Sequence, residues 1–420
     1  MSSTTTSTFT PLSLLPLPDK AQVNDAFVGR SLSSLRTPAL VVDRGVFKEN
    51  CERVTLEAER RGMRFRAHVK THKTIEGTRL QATASHGVKA FIASTLPEVW
   101  SVVQSGLFTE DLANDILYSM PVSADKLEDL NDAQEKIGNK GVLRLMLDHP
   151  AQVAAIEGFN ARFKRGAWSV FLKVDGGGRR AGAPPESEQM RSLIKACLAS
   201  SAVDIYGFYS HFGQSYASTS LDKATAYYHS EIECVNAAAK VARSLGANGQ
   251  FVLSVGATPT AHAATQTPED SENLQGELEL HAGCYCMNDL QQLATTLIDI
   301  DACALTVLAR VVSVYPLRNE AMCDAGAIAF SKDTGPFPGF GRVVHPDRLT
   351  TWDVGRISQE HGTLVHRPGV EEDKIEQIDV GDLVRIVPQH ACLVCAAFPW
   401  IYVVDGSDEV VDVWIPFKGW

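Results

Sequence analysis

The sequence predicts a (β/α)8 barrel of the TIM type joined to a C-terminal mainly-β domain that also takes up an N-terminal strand. Three observations carry that fold class. Eight short β-rich runs recur with mostly helix-length spacers between them. Near Cys303 the texture changes to strands without long helices. One further β-rich run, Ala39 to Asp43, precedes the barrel count and is free to join the second domain.

The barrel runs are Arg64 to Lys70, Ala90 to Ser94, Asp115 to Ser119, Leu143 to Leu147, Ser169 to Asp175, Ile205 to Ser210, Phe251 to Gly256 and Glu277 to Gly283. Between them, Val122 to Lys136 alternates polar and apolar residues at helical spacing, and Leu221 to Leu245 is Ala-rich and amphipathic. The spacer after Gly256, rich in Thr, Pro and acidic residues, reads as a loop with at most a short helix. The second domain is expected to use Ala304 to Tyr315, Thr350 to Ile357, Leu383 to Val387, Trp400 to Val404 and Val410 to Ile415. The division is a loosely ordered arm over residues 1–34, a barrel over 44–300, and a β-domain made of 35–43 and 301–420.

With 420 residues, 45% hydrophobic and 21% charged, the chain has the length and composition for about two globular domains. A net charge of -11 with no block of Lys and Arg argues against nucleic acid and anionic membrane as partners. No apolar run approaches the ~18 residues that span a bilayer. The first residues hold no Lys or Arg before Lys20, so the basic region of a secretory signal is missing. Nine cysteines without framework spacing point to reduced thiols and a cytoplasmic setting.

Catalytic groups of such a barrel project from the C-terminal strand ends. The first strand runs into His68-Val69-Lys70-Thr71-His72-Lys73. A lysine buried there would have its ammonium destabilised, as a Schiff-base lysine needs, and Lys70 fits that role; the alternative is a rim lysine paired with a carboxylate. The turns Gly256-Ala257-Thr258 and Gly283-Cys284-Tyr285 offer backbone N–H groups and a hydroxyl to a phosphate, although glycine turns also serve purely steric ends. The glycines after Asp175 lack the spacing of a dinucleotide fingerprint. In Pro388-Gln389-His390-Ala391-Cys392, residues two apart in an extended segment face the same side, so His390 and Cys392 are a candidate zinc pair with open positions. Buried packing of both side chains is the alternative. Cys392 and Cys395 also form a C-x-x-C, but a redox motif wants a strand-to-helix junction, and the residues that follow read as another strand.

These motifs bear a family likeness. Through Arg66-Ala-His-Val-Lys-Thr-His-Lys73, Leu278-Glu-Leu-His-Ala-Gly283 and Pro388-Gln-His-Ala-Cys392, the chain resembles the fold-type III pyridoxal-phosphate enzymes, the alanine racemase superfamily. Within it the resemblance is to the eukaryotic D-serine dehydratase family, and it runs from about Leu35 to the C-terminus. The D-threonine aldolases are similar but carry aspartate where Cys392 stands. The resemblance implies that Lys70 holds pyridoxal 5'-phosphate, Arg180 approaches its phenolic oxygen, and His211 lies against its ring. Tyr209 and Gly256 belong to the same pocket, and Thr258, Gly283, Cys284 and Tyr285 lie near the phosphate. It places zinc on His390 and Cys392. Many relatives have Gly-Ser-Thr-Pro and Gly-Asn-Tyr where this chain has Gly-Ala-Thr-Pro and Gly-Cys-Tyr, so a serine hydroxyl and an asparagine amide are missing from the cradle.

The activity so implied is elimination of water from a D-amino acid, D-serine to pyruvate and ammonia, with Lys70 accepting the α-proton and zinc activating the β-hydroxyl. A hydroxyaspartate dehydratase, a retro-aldol lyase, a racemase and a non-catalytic cofactor carrier are the competing readings of the same scaffold. A homodimer is expected, since relatives pair the β-domain of one subunit with the barrel of another.

Overall fold

The computed structural model describes residues 16–84, 88–266, 273–371, 374 and 376–420. After β1 (Ala39–Asp43), the chain builds β2 (Arg64–His68), β3 (Ala90–Ala93), β4 (Asp115–Pro121), β5 (Val142–Leu147), β6 (Trp168–Lys173), β7 (Val203–Tyr209), β8 (Phe251–Val255) and β9 (Gly276–Ala282). Strands β2 to β9 are parallel and close into a barrel through the β9–β2 pairing. The eight expected runs are these eight strands.

Their interior is filled by Ile92, Leu117, Met146, Phe171, Tyr209 and Val252, one residue from each of six strands. Alternation along each strand sends the neighbouring residues outward to the helices. The helix Leu221–Ser244 shows the complementary pattern, burying Ala224, Tyr228, Ile232, Val235, Ala239 and Ala242 at three- and four-residue spacing. After β8 there is a short helix, Thr258–Ala264, as the spacer composition allowed.

The second domain contains β10 (Leu305–Tyr315), β11 (Glu320–Cys323), β12 (Gly341–His345), β13 (Trp352–Ile357), β14 (Gly362–His366), β15 (Leu383–Pro388), β16 (Ile401–Val404) and β17 (Asp412–Trp414). The sheet order is β11-β14-β13-β12-β15-β10-β1-β16-β17, and an added β11–β10 pairing closes the first six strands on themselves. Strand β1 lies between β10 and β16, so the N-terminal strand does belong to this domain. Strands β11, β12 and β14 have no counterpart in the sequence reading. They are four or five residues long, and two of them begin at a glycine, which leaves too little alternation to register.

The stretch read as a loose arm is partly regular. Its residues 1–15 lie outside the described residues, but Lys20–Phe27 forms a helix capped by Asp19, whose Oδ1 accepts the Gln22 N–H at 3.0 Å. Phe27 packs edge-on against Tyr402 at 5.1 Å, and the Asn24 amide donates to Asp412 at 3.2 Å. Long-range contacts order this segment, and its local composition carries no trace of them. No described helix is long and apolar enough to cross a membrane.

Candidate active site at the barrel mouth

Lys70 lies two residues beyond β2, in the turn that leads to the helix Ile75–Thr83. His68 shapes that turn. Its Nδ1 accepts the Lys70 backbone N–H at 3.3 Å, which leaves its Nε2–H to bond Ser94 Oγ at 3.2 Å. It is the neighbouring Lys73 that pairs with a carboxylate, Glu98, at 2.6 Å. Among the described residues no carboxylate lies within ion-pair distance of Lys70, which lines a cavity of about 280 Å³.

That cavity collects the strand ends anticipated from the sequence. Lys70, Tyr209, His211, Gly256, Thr258, Gly283, Cys284 and Arg180 all line it. Gly283 leaves room beside the lysine, because a Cβ there would stand 3.2 Å from Thr71 Oγ1 and 3.6 Å from Lys70 Cε. Gly256 is required by close strand approach, since a Cβ there would fall 1.9 Å from the His281 carbonyl oxygen. His211 donates from Nδ1 to the Gly256 carbonyl at 2.8 Å, which fixes its tautomer. Burial, with Lys70 and Arg180 close by, holds its pKa well below the ordinary value, so the ring is neutral.

Two features differ from the sequence reading. The Ala257 N–H is engaged by Thr260 Oγ1 at 2.8 Å and the Cys284 N–H by Thr258 Oγ1 at 3.1 Å, so these amides are satisfied within the protein. Tyr285 is not among the cavity-lining residues. The 3-10 turn Cys284–Cys286 carries its ring into the core, edge-on to Phe65 at 5.2 Å.

The turn after Lys70 leads directly to the second cluster, because Thr71 Oγ1 lies 3.1 Å from Cys392 Sγ. His390 and Cys392 do come together, though not through an extended segment. β15 ends at Pro388, His390 is the N-cap of the helix Ala391–Ala397, and Cys392 sits in its first turn. Cys392 and Cys395 therefore do occupy a strand-to-helix junction. Cys395 is buried against Met287, its sulfur 3.5 Å from Sδ.

Asp333 Oδ2 bonds His390 Nδ1 at 2.5 Å, which leaves Nε2 for another partner. Cys284 and His390 hold the Cys392 thiol well below its ordinary value, against the effect of burial. Burial opposes the charged ring of His390, but Cys392, Asp289 and Asp333 outweigh it and push the imidazole up to about 10. A thiolate beside an imidazole oriented by a carboxylate fits the donor set of a zinc ion with its outer-shell support. Among the described residues no group of three or more His, Cys, Asp or Glu is placed to hold a metal.

Sequence reasoning passed over Lys173 and His281. Lys173 ends β6, is 6% exposed, lines the cavity and places Nζ 4.1 Å from the Tyr209 ring centroid. Burial and the Arg180 charge bring it down to about 7. His281 stacks on Tyr209 at 4.0 Å and receives support from Ser254 Oγ at 3.0 Å. The available signal was positional, a lysine and a histidine at the inward ends of barrel strands.

Comparison with known proteins agrees with this architecture. The alanine racemase N-terminal domain family matches residues 42–272, and the serine dehydratase domain family matches 304–404. The D-serine dehydratase of Schizosaccharomyces pombe is 40% identical, covering 96% of each chain. This chain belongs to the D-serine dehydratase family. The Saccharomyces cerevisiae D-serine dehydratase is 32% identical over 95% of this chain and 100% of its own. The structure of D-threo-3-hydroxyaspartate dehydratase from Delftia sp. HT23 superposes with a TM-score of 0.80 at 28% identity, covering 93% of this chain and 100% of that one. Membership in the D-serine dehydratase family makes the chain a carbon–oxygen lyase of the pyridoxal-phosphate class with the alanine racemase fold.

Proposed function

We propose that this enzyme eliminates water from D-serine to give pyruvate and ammonia, with pyridoxal 5'-phosphate on Lys70 and zinc on His390 and Cys392. The observation that carries the proposal is the 3.1 Å contact between Thr71 and Cys392, because it sets the thiol–imidazole pair beside the turn that carries Lys70 into the cavity. When bound, the cofactor supplies an electron sink for charge developing at Cα, and the metal a Lewis acid at the β-oxygen.

The chain's own residues divide the remaining work. The Lys70 amine takes the α-proton on the face it occupies. Arg180 and Lys173 give the cavity positive charge for the anionic groups of cofactor and substrate. Neutral His211 would lie against the cofactor ring and add no charge there. Asp333 orients His390, and Thr71 steadies the Cys392 sulfur. The released enamine product hydrolyses to pyruvate and ammonia.

Solved structures of D-threo-3-hydroxyaspartate dehydratase support the metal assignment. They include a histidine-to-alanine mutant and a cysteine-to-alanine mutant in the metal-free form, and the two mutated residues stand two apart, as His390 and Cys392 do. A homodimer belongs to the same proposal, supported by exposed Ile328 and Leu393 close to the metal pair. Light scattering on the purified protein tests it, and a monomer would remove it.

The deciding assay is pyruvate formation from D-serine beside L-serine, D-threonine and D-threo-3-hydroxyaspartate, with and without a chelator. Chelator-sensitive pyruvate from D-serine is the expected result. Oxaloacetate from the hydroxyaspartate alone would move the substrate to the dicarboxylate, for which Lys173 is a ready partner. An aldehyde from D-threonine would move the reaction to the aldolase type.

A further inference from the structure

We propose that Glu231 is a positioning residue for the cofactor pocket: from the middle of the helix behind the barrel it holds the His211–Phe212 and Gly256–Thr258 turns together and so governs cofactor retention. The inference rests on the pyridoxal-phosphate reading above and adds a residue that touches neither cofactor nor substrate.

Glu231 occupies a core position of the helix Leu221–Ser244, one residue before Ile232 and three after Tyr228, and is fully buried. A carboxyl group in that position is costly unless its oxygens are bonded. Both are. Oε1 accepts the Phe212 N–H at 2.7 Å, and Oε2 lies 2.7 Å from Thr260 Oγ1. The same hydroxyl accepts the Ala257 N–H at 2.8 Å. One carboxyl group thus ties the turn that follows β7 to the turn that follows β8. The His211–Gly256 bond then lies between two fixed backbones.

The linkage extends to a third turn. Gly176 lies so close to the Phe212 ring that a Cβ there would fall 1.8 Å from it. Phe212 therefore braces the segment leading to Arg180, and its own backbone is held by Glu231.

The arrangement works with the carboxyl in either protonation state. Ionised, Oε2 accepts the Thr260 hydroxyl proton. Protonated, it donates to Thr260 Oγ1, whose proton turns to the Ala257 carbonyl 3.2 Å away. In both cases the Ala257 and Phe212 amides remain engaged. Burial pushes this carboxyl up to about 7, against the bonds from Thr260 and Phe212, so both states are reached near neutral pH.

The test measures pyridoxal-phosphate dissociation from the full-length holoenzyme by visible absorbance and circular dichroism, with thermal unfolding of the cofactor-free protein read alongside. Glu231→Gln keeps an acceptor for Phe212 and a donor for Thr260. Its dissociation constant is expected within about threefold of wild type, whereas Glu231→Ala should loosen the cofactor by roughly tenfold or more. Thr260→Val should follow the alanine variant and Thr260→Ser the wild type, which keeps the test decisive if Glu231→Ala does not fold. Wild-type cofactor affinity and dichroism in Glu231→Ala or Thr260→Val, whatever their melting temperatures, would overturn the inference. If the wild-type protein itself takes up no pyridoxal phosphate, the reading beneath it fails instead.

Discussion

At the N-terminal end of the barrel, Arg66 donates to Asp115 at 2.6 Å and to Glu279 at 2.9 Å, and Arg144 adds a bond to Asp115 at 2.7 Å. At the C-terminal end, Lys70, Lys173 and Arg180 line one cavity, and among the described residues none of them has a carboxylate within ion-pair distance. The same eight strands hold both sets. Burial alone would raise the Asp115 carboxyl, yet Arg66 and Arg144 keep it below its ordinary value, so the lower charges complete one another. The upper charges are complete only with an anionic ligand. Substitutions at the lower end should therefore show in stability, and those at the upper end in chemistry.

The sharpest separation comes from Lys70→Ala. Loss of the amine should remove the Schiff-base absorbance and lower turnover on the order of a thousandfold or more, with the melting temperature nearly unchanged. An active variant with intact absorbance would take Lys70 out of its role and dissolve the contrast between the two ends. The reciprocal change is Arg66→Met, which leaves Glu279 without its partner and Asp115 with Arg144 alone. It should cost about 3–5 kcal/mol of stability in urea unfolding. The protein that remains folded should keep kcat close to wild type, and a large kcat defect there would show that the lower network also serves the reaction.

A smaller effect is expected at the edge of the metal pair. Asp333→Asn weakens the orientation of His390 and should reduce zinc affinity roughly 10- to 100-fold by competitive chelation, leaving the cofactor absorbance in place. Unchanged affinity would show that the 2.5 Å contact has no role in holding a metal.

The barrel was legible because its strands are short β-rich runs separated by spacers of helical period, and a closed parallel barrel needs little else. Lys70 and the glycine turns were legible for the same reason, since each follows a strand, whereas Arg180 entered only through the family resemblance. The pairing of His390 with Cys392 was found on the wrong geometric ground. Spacing of two suggested an extended segment, whereas a strand-to-helix turn brings them together. Asp333 was invisible, because its link to His390 spans 57 positions and four strands, two of them too short to read. Tyr285 shows the converse limit, where a position beside two cavity residues says nothing of which way a 3-10 turn sends the next side chain. Glu231 did leave a trace, a carboxylate on the apolar stripe of a long helix.

Lys173 tests the contrast most finely, because it is an upper-end charge whose removal should stabilise. Burial and the Arg180 charge hold it at about 7 in the folded protein, below the ~10.4 of an unfolded lysine. Between those values the unfolded chain binds a proton that the native state lacks, so stability of the cofactor-free protein rises as pH climbs from 7 toward 10. Below 7 the native state carries the buried charge and the penalty is complete. Lys173→Met should remove that slope, raising stability at or below pH 7 by up to about 4 kcal/mol and converging on wild type at high pH. In the same variant KM for a D-amino acid should rise, because the cavity has lost a cation that an anionic ligand completes. A stabilised variant with unchanged KM would assign the upper-end charge to Lys70 and Arg180 alone. A destabilised one would mean that Lys173 is held in the native state by a partner as firmly as Arg66 is.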